Sequence, residues 1–312
     1  VDHQEELCQH QASNIVRGGI VQTVPNPQSL VTTRRDTVEG FRWQAQEKGR
    51  RANEFHAIAD HFSRFANRIN SVADIEADQR LYQFALGACA LSAKGSRQLG
   101  PALCSQIISA TIELPRLKEP EYLAELERRY LLTCGDALGG SMRNVIGQRA
   151  QNELSDHICS YLERAQIRWH ADRNGNGKIT SIMWEARTLI FDRKPKFINK
   201  NIDFILLNSG RFDPSVLEQP RSILACGELK GGIDPAGADE HWKTARSALE
   251  RVRQAFAERK CAAPALFFVG AAIEQSMADE IYGQLQDGSL AAAANLHNKM
   301  QVNELTQVLV GL

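Results

Sequence analysis

The residues best placed to do chemistry lie between Ser222 and Lys243, in the stretch SILACGELKGGIDPAGADEHWK. An apolar run, Ile223-Leu224-Ala225-Cys226, has the length and the bounding glycine of a buried β-strand. It leads into Glu228-Leu229-Lys230. Side chains two apart on a strand share a face, so Glu228 and Lys230 project together while Leu229 points away. A second candidate strand upstream, Ile202–Leu207, carries a single acid, Asp203, near its start. If the two strands pair, Asp203 and Glu228 converge beside Lys230. Two carboxylates and an amine suit metal-assisted phosphodiester hydrolysis. The carboxylates bind Mg²⁺ through oxygen, and the cation polarises the phosphate and lowers the pKa of a bound water. The lysine holds the water or steadies the developing charge.

An acid-x-Lys triplet by itself is more often a solvated ion pair on a strand face. Three features add weight here: the upstream Asp-led strand, the Gly231-Gly232 break, and the segment from Ile233 to Trp242. Over Asp203 and then Gly227 to Trp242, the chain resembles the PD-(D/E)xK nucleases. Within them it is similar to the AvaI/BsoBI-type restriction endonucleases. The resemblance is sharp over about residues 199–248 and general elsewhere. It implies an α/β chain with a restriction-endonuclease-like mixed-sheet core and a largely helical N-terminal domain. It also implies Mg²⁺-dependent cleavage of double-stranded DNA at a short C- and G-rich palindrome, by a two-fold homodimer whose symmetry mirrors the site.

Carried over residue by residue, the resemblance gives Asp203, Glu228 and Lys230 the catalytic roles, with Asp203 and Glu228 holding the metal. It sets Asp234 at the DNA bases and His241 at the attacking water. Lys200, three residues before Asp203, matches a lysine of the family. Ile202 stands where the superfamily name has proline, so Asp203 rests on spacing and strand context.

Each residue also has a plainer reading. Asp203 can be a turn or cap residue, and Lys230 simply the partner of Glu228. His241 reads equally as a surface histidine in the first turn of a helix. Asp234 can hold the Gly-Gly-Ile-Asp-Pro turn or accept from a cytosine amino group. Lys194, Lys196 and Lys200 form a basic cluster of the sort that usually marks a solvated loop. Glu185 is an outside candidate for an auxiliary metal ligand.

Length and composition fit a soluble globular protein. The 312 residues are 43% hydrophobic and 24% charged, enough for one large or two medium domains. Lys+Arg and Asp+Glu are both 37, so any attraction for nucleic acid must come from local patches rather than net charge. The 7 cysteines form no CxxC pair, which argues against a zinc site and for free thiols in a reducing cytoplasm. No membrane-length apolar run or signal-peptide pattern is visible.

Along the chain, residues 1–39 read as a polar arm in which Arg34-Arg35 can touch phosphate, although such a pair is more often simply solvated surface. Residues 40–166 read as a helical domain that embraces DNA. One stripe there is Phe55, Ile58, Phe62, Phe65 and Ile69. Gly139-Gly140-Ser141 predicts a helix stop and a new cap. Residues 167–312 read as the catalytic domain. Its predicted strands are 167–171, 179–184, 188–191, 202–207, 223–228 and 265–270, the last taken as central, with helices over 238–260, 277–285 and within 290–309. Asp172 to Gly177 mimics the start of an EF-hand loop, but its twelfth position is Met183 rather than glutamate, so a hairpin turn is expected. Two alternatives stay open from the residues alone: a repair or recombination nuclease using the same triad, and a non-catalytic helical scaffold or DNA-binding regulator.

Overall fold

The strand signals become one seven-stranded sheet in a computed structural model, which describes residues 24–312. Strands β1 (Trp169–Arg173), β2 (Ile179–Trp184), β3 (Arg187–Arg193), β4 (Ile202–Leu207), β5 (Ile223–Lys230), β6 (Ala265–Gly270) and β7 (Ala292–Asn295) follow one another across it in chain order. Neighbours from β1 to β5 are antiparallel, and β5, β6 and β7 are parallel. This is the mixed α/β sheet expected. The two-residue period divides β4 between two cores: Phe204 and Leu206 pack on one face, Ile205 and Leu207 on the other.

The helices are α1 (Arg34–Phe65), α2 (Val72–Glu76), α3 (Gln79–Ala88), α4 (Ala93–Leu99), α5 (Pro101–Thr111), α6 (Pro120–Arg164), α7 (Pro214–Leu217), α8 (Pro235–Glu258), α9 (Gln275–Gln286) and α10 (Lys299–Gly311). One compact unit is Arg42–Asn144, wholly helical. The other joins the described residues before Arg42 to Val145–Leu312. Inside the helical unit, Phe62 stacks on Phe84 at 4.0 Å between ring centroids, and Leu126 and Tyr130 complete the core. Three of its short helices start on side-chain caps. Ser71 and Asp74 form a capping box on α2, and the Asp78 carboxylate accepts from the Arg80 and Leu81 amides of α3.

In the sheet unit, α8 covers one face with Trp242, Ala245, Leu249, Val252 and Phe256. The Trp242 indole donates to Glu280 at 2.7 Å, which satisfies the one polar atom of a ring otherwise buried.

Several expectations need correcting. No helix stops at Gly139-Gly140-Ser141: α6 runs unbroken over 45 residues. None of those residues takes a positive φ, and the Ser141 hydroxyl donates back to the Leu138 carbonyl instead of capping a new turn. β6 is a buried interior strand as expected, but β7 pairs along its outer side and forms the edge of the sheet. That edge strand lies in the span read as helical, and its sequence Ala-Ala-Ala-Asn explains the error. Alanine is the best helix former, and only tertiary pairing makes this a strand.

Of the expected arm, residues 1–23 lie outside the described residues. The next stretch of chain is anchored: Val24 and Leu30 are buried, and α1 begins at Arg34, so Arg34 and Arg35 are first-turn residues on the surface. The EF-hand look-alike is the β1–β2 turn, where Asn174 Oδ1 accepts from the Asn176 and Lys178 amides. Among the described residues, no helix is long and apolar enough to cross a membrane. The described cysteines are all free, while Cys8 falls outside the described residues.

Candidate active site

The β4–β5 ladder sets Phe204 opposite Gly227, so the next residues outward, Asp203 and Glu228, are neighbours. The Phe204 ring fills the space where a Cβ at Gly227 would lie. Only glycine lets the two strands keep this register with the ring in place.

Lys230 joins the two acids. Its Nζ donates to Glu228 Oε2 at 2.7 Å and to Asp203 Oδ2 at 3.0 Å. The same Asp203 oxygen accepts from the Leu229 amide at 2.8 Å, which fixes the carboxylate against the strand that bears its partners. Asp203, Glu228 and Lys230 are thus brought together as their spacing predicts. Glu228 is 3% exposed, and its Oε1 is buried with no hydrogen-bond partner. Burial, and then the charge of Asp203, push the Glu228 carboxyl up to about 7 against the pull of Lys230. Burial opposes the charge on Lys230. The carboxylates of Glu228 and Asp203 more than offset it and hold the ammonium above the ordinary lysine range.

Beyond Lys230 the chain turns through Gly231-Gly232. A Cβ at Gly231 would stand 2.6 Å from the Ala150 methyl of α6, and one at Gly232 would overlap the His241 ring. The glycine pair therefore lets the loop pass close to α6 on one side and to the imidazole on the other. His241 lies in the second turn of α8 rather than its first, because the helix begins at Pro235. The ring is half-buried. Burial, then the neighbouring Lys230 charge, hold its pKa below the ordinary histidine range.

Asp234 is the N-cap of α8. Its Oδ1 accepts from the Ala236 amide at 3.1 Å, and Pro235 takes the first helical position. Lys200 acts on Glu228 by charge alone, favouring the ionised form. Its exposed position follows Asn199, whose φ is 53°. Glu185 does not join the group. It sits in the β2–β3 turn, next to the end of β3 where Thr188 faces Leu207, at the opposite end of β4 from Asp203. Among the described residues no three His, Cys, Asp or Glu side chains gather as a ready-made metal cage.

Sequence reading missed the contribution of α6 to the loop, although the Gly231-Gly232 doublet signalled a close approach. It also missed the Phe204–Gly227 contact.

Comparison with known proteins identifies the family. The family model described as restriction endonuclease BsobI matches residues 22–179 and 176–312. The type II restriction enzyme BsoBI of Geobacillus stearothermophilus is 36% identical over 310 residues, covering 91% of this chain and 95% of that enzyme. The type II restriction enzymes AvaI of Nostoc sp. and of Anabaena variabilis are each 36% identical over 300 residues, covering 88% of this chain and 94% of each enzyme. With matches that run through both the helical unit and the sheet, the chain belongs to the BsoBI family of type II restriction endonucleases, which are site-specific deoxyribonucleases.

Proposed function

We propose that the protein cuts double-stranded DNA at a defined sequence by Mg²⁺-dependent hydrolysis, with Asp203, Glu228 and Lys230 as the reactive group and His241 assisting. The observation that carries this reading is Glu228 Oε1, a carboxylate oxygen buried without a partner beside a second carboxylate and an ammonium. A buried, unsatisfied anionic oxygen is costly unless a ligand completes it. Oxygen donors in this setting fit a hard divalent cation.

Asp203 and Glu228 would hold that cation, which supplies Lewis-acid polarisation of the scissile phosphate and a more acidic water. Lys230 has three N–H donors, and the two carboxylates take two of them. The third is available to a phosphate oxygen or to the incoming water, where a fixed positive charge favours the transition state over the ground state. His241, kept neutral at physiological pH by its lowered pKa, can accept a proton from that water. The water oxygen bonds to phosphorus, the P–O bond to the leaving deoxyribose oxygen breaks, and that oxygen takes up a proton.

Asp234 and Lys200 are the proposed DNA contacts, one at a base and one at the backbone. Residues 40–166 would embrace the duplex, and residues 167–312 carry the cleavage chemistry. The family resemblance implies a C- and G-rich palindrome as the target, and a palindromic target calls for a two-fold homodimer.

The test is digestion of a sequenced plasmid with Mg²⁺, mapping the ends, alongside Glu228→Ala and Lys230→Ala. Discrete fragments from the native protein, and none from variants that still bind DNA, are expected. Cutting by either variant removes the mechanism. Cleavage only at junctions or free ends would point instead to a structure-reading nuclease.

A further inference from the structure

The last residues of the three parallel strands stand in one row, with Lys230 registered against Gly270 and Gly270 against Asn295. Just past that row, the Ala271 amide donates to the Lys230 carbonyl at 2.8 Å. The carbonyl of Ala271 is held in turn by Thr32, whose hydroxyl donates to it at 2.9 Å. The same hydroxyl accepts from the Ile273 amide at 2.9 Å and from Asn295 Nδ2 at 2.8 Å. A threonine hydroxyl offers one donor and two acceptor positions, so all three are engaged. The Thr32 amide adds a bond to the Ile273 carbonyl at 2.9 Å.

Asn295 is 4% exposed and also donates to the Leu30 carbonyl at 2.9 Å. Gln301 belongs to the same knot, since its Nε2 donates to the Ser29 carbonyl at 2.7 Å and its Oε1 accepts from the Asn295 amide at 2.9 Å. A separate tie of this segment is made by the Tyr282 hydroxyl, which donates to the Pro25 carbonyl at 3.1 Å. Residues 239 positions apart in sequence thus meet in one small polar knot behind the reactive strand.

This knot lies where the strand most needs holding. β5 ends at Lys230 and passes directly into Gly231-Gly232, the two residues with the least intrinsic stiffness. Beyond its own ladder, the Lys230 backbone is therefore set by Ala271, and Ala271 by Thr32.

We propose that Thr32 is a positioning residue for Lys230: its hydroxyl fixes the end of β5 so that the ammonium reaches the scissile phosphate in a productive place. The inference rests on Lys230 acting as described under the proposed function. Displacing a reacting group by roughly 1 Å costs on the order of a hundredfold in rate, so a small slackening at Ala271 is enough to be read.

The experiment compares Thr32→Val, which keeps the shape and loses the hydroxyl, with Thr32→Ser, which keeps the hydroxyl. Single-turnover cleavage and DNA affinity are measured on the full chain. Thr32→Val is expected to slow cleavage by about tenfold or more with DNA affinity unchanged, and Thr32→Ser to restore the rate. Tyr282→Phe loosens the same segment at Pro25 without touching Thr32 or its partners, and is expected to lower the melting temperature while leaving the rate intact.

Wild-type cleavage by Thr32→Val, failure of Thr32→Ser to restore it, or an equal rate loss in Tyr282→Phe each overturns the proposal. Should Thr32→Val not fold, Thr32→Ala takes its place. If both misfold while Thr32→Ser folds, the hydroxyl serves the fold and not the site, and the proposal also fails. Lys230→Ala run in parallel keeps the two claims apart. Cutting by Lys230→Ala sinks the catalytic reading itself, whereas its loss together with a fully active Thr32→Val sinks only the role of Thr32.

Discussion

The Phe204 ring occupies the volume that any side chain at Gly227 would need, one residue inward from the Asp203–Glu228 pair. The contact ties the packing of the sheet to the separation of its two acids. Phe204 is fully buried and tilted against Phe267, with centroids 6.4 Å apart, so the ring has little room in which to retreat. Gly227→Ala should therefore destabilise by about 1–3 kcal/mol through overpacking, read as a lower denaturant midpoint, and should depress cleavage as the strands part. Gly227→Ala combined with Phe204→Leu should recover part of both losses. A single Gly227→Ala variant with native midpoint and native rate would show that the ring does not set the spacing.

Gly232 relates to His241 as Gly227 does to Phe204, but with the opposite balance of cost. An added Cβ at Gly232 meets the outer edge of the imidazole, the far end of a half-buried side chain that can swing aside. Gly232→Ala should thus change the melting temperature little and displace the histidine. If His241 assists the attacking water, Gly232→Ala and His241→Ala should slow cleavage by a similar factor, about 10²–10⁴ for loss of a general base. Native rates in both variants would return His241 to a packing role.

Much of this site is legible in the sequence, and the boundary of what is legible is physical. Glu228 and Lys230 share a face because strand side chains alternate, and the lone acid of β4 falls beside them because the two strands are antiparallel neighbours. The ends of β2, β4 and β6 can be read from β-branched and aromatic runs that have few other uses. β7 cannot be, since Ala292-Ala293-Ala294 carries a helical preference that only pairing with β6 overrides. The uninterrupted α6 is hidden for a related reason. Glycine costs a helix about 1 kcal/mol, and a helix anchored at both ends, as by buried Leu126 and Leu154, tolerates that cost. The meeting of Thr32 with Ala271 and Asn295 leaves no local pattern at all, because its partners are set by the whole fold.

In the helical unit, stability should depend on acid. The Asp78 carboxyl is held below the ordinary aspartate range by its hydrogen bond with His61 and then by the Leu81 amide. A group whose pKa is lower folded than unfolded contributes fully above its unfolded value, about 3.9, and loses that contribution as pH falls through the folded value. The melting-temperature gap between the native protein and Asp78→Ala should hence be constant near neutrality and narrow below about pH 4. Far-UV circular dichroism melts across that range test it. A gap that widens on acidification would mean that the carboxylate is not the stabilising form.

Asp234 offers the sharpest separation of structural from functional roles, because serine can replace one and not the other. As the N-cap of α8, its Oδ1 satisfies the Ala236 amide. Removing the cap in Asp234→Ala should cost about 1 kcal/mol. Serine caps as well as aspartate, so Asp234→Ser should melt with the native protein. What serine lacks is the charge that would draw a cytosine amino group in the major groove, a contact worth about 1–3 kcal/mol of discrimination. Asp234→Ser is therefore expected to fold normally, to cut the native site more slowly, and to tolerate altered bases at one position of it. Mapping its cleavage products on a plasmid decides the matter. Native rate and native sequence choice in Asp234→Ser would leave Asp234 as a cap alone, and base reading would then have to be sought on other elements of the chain.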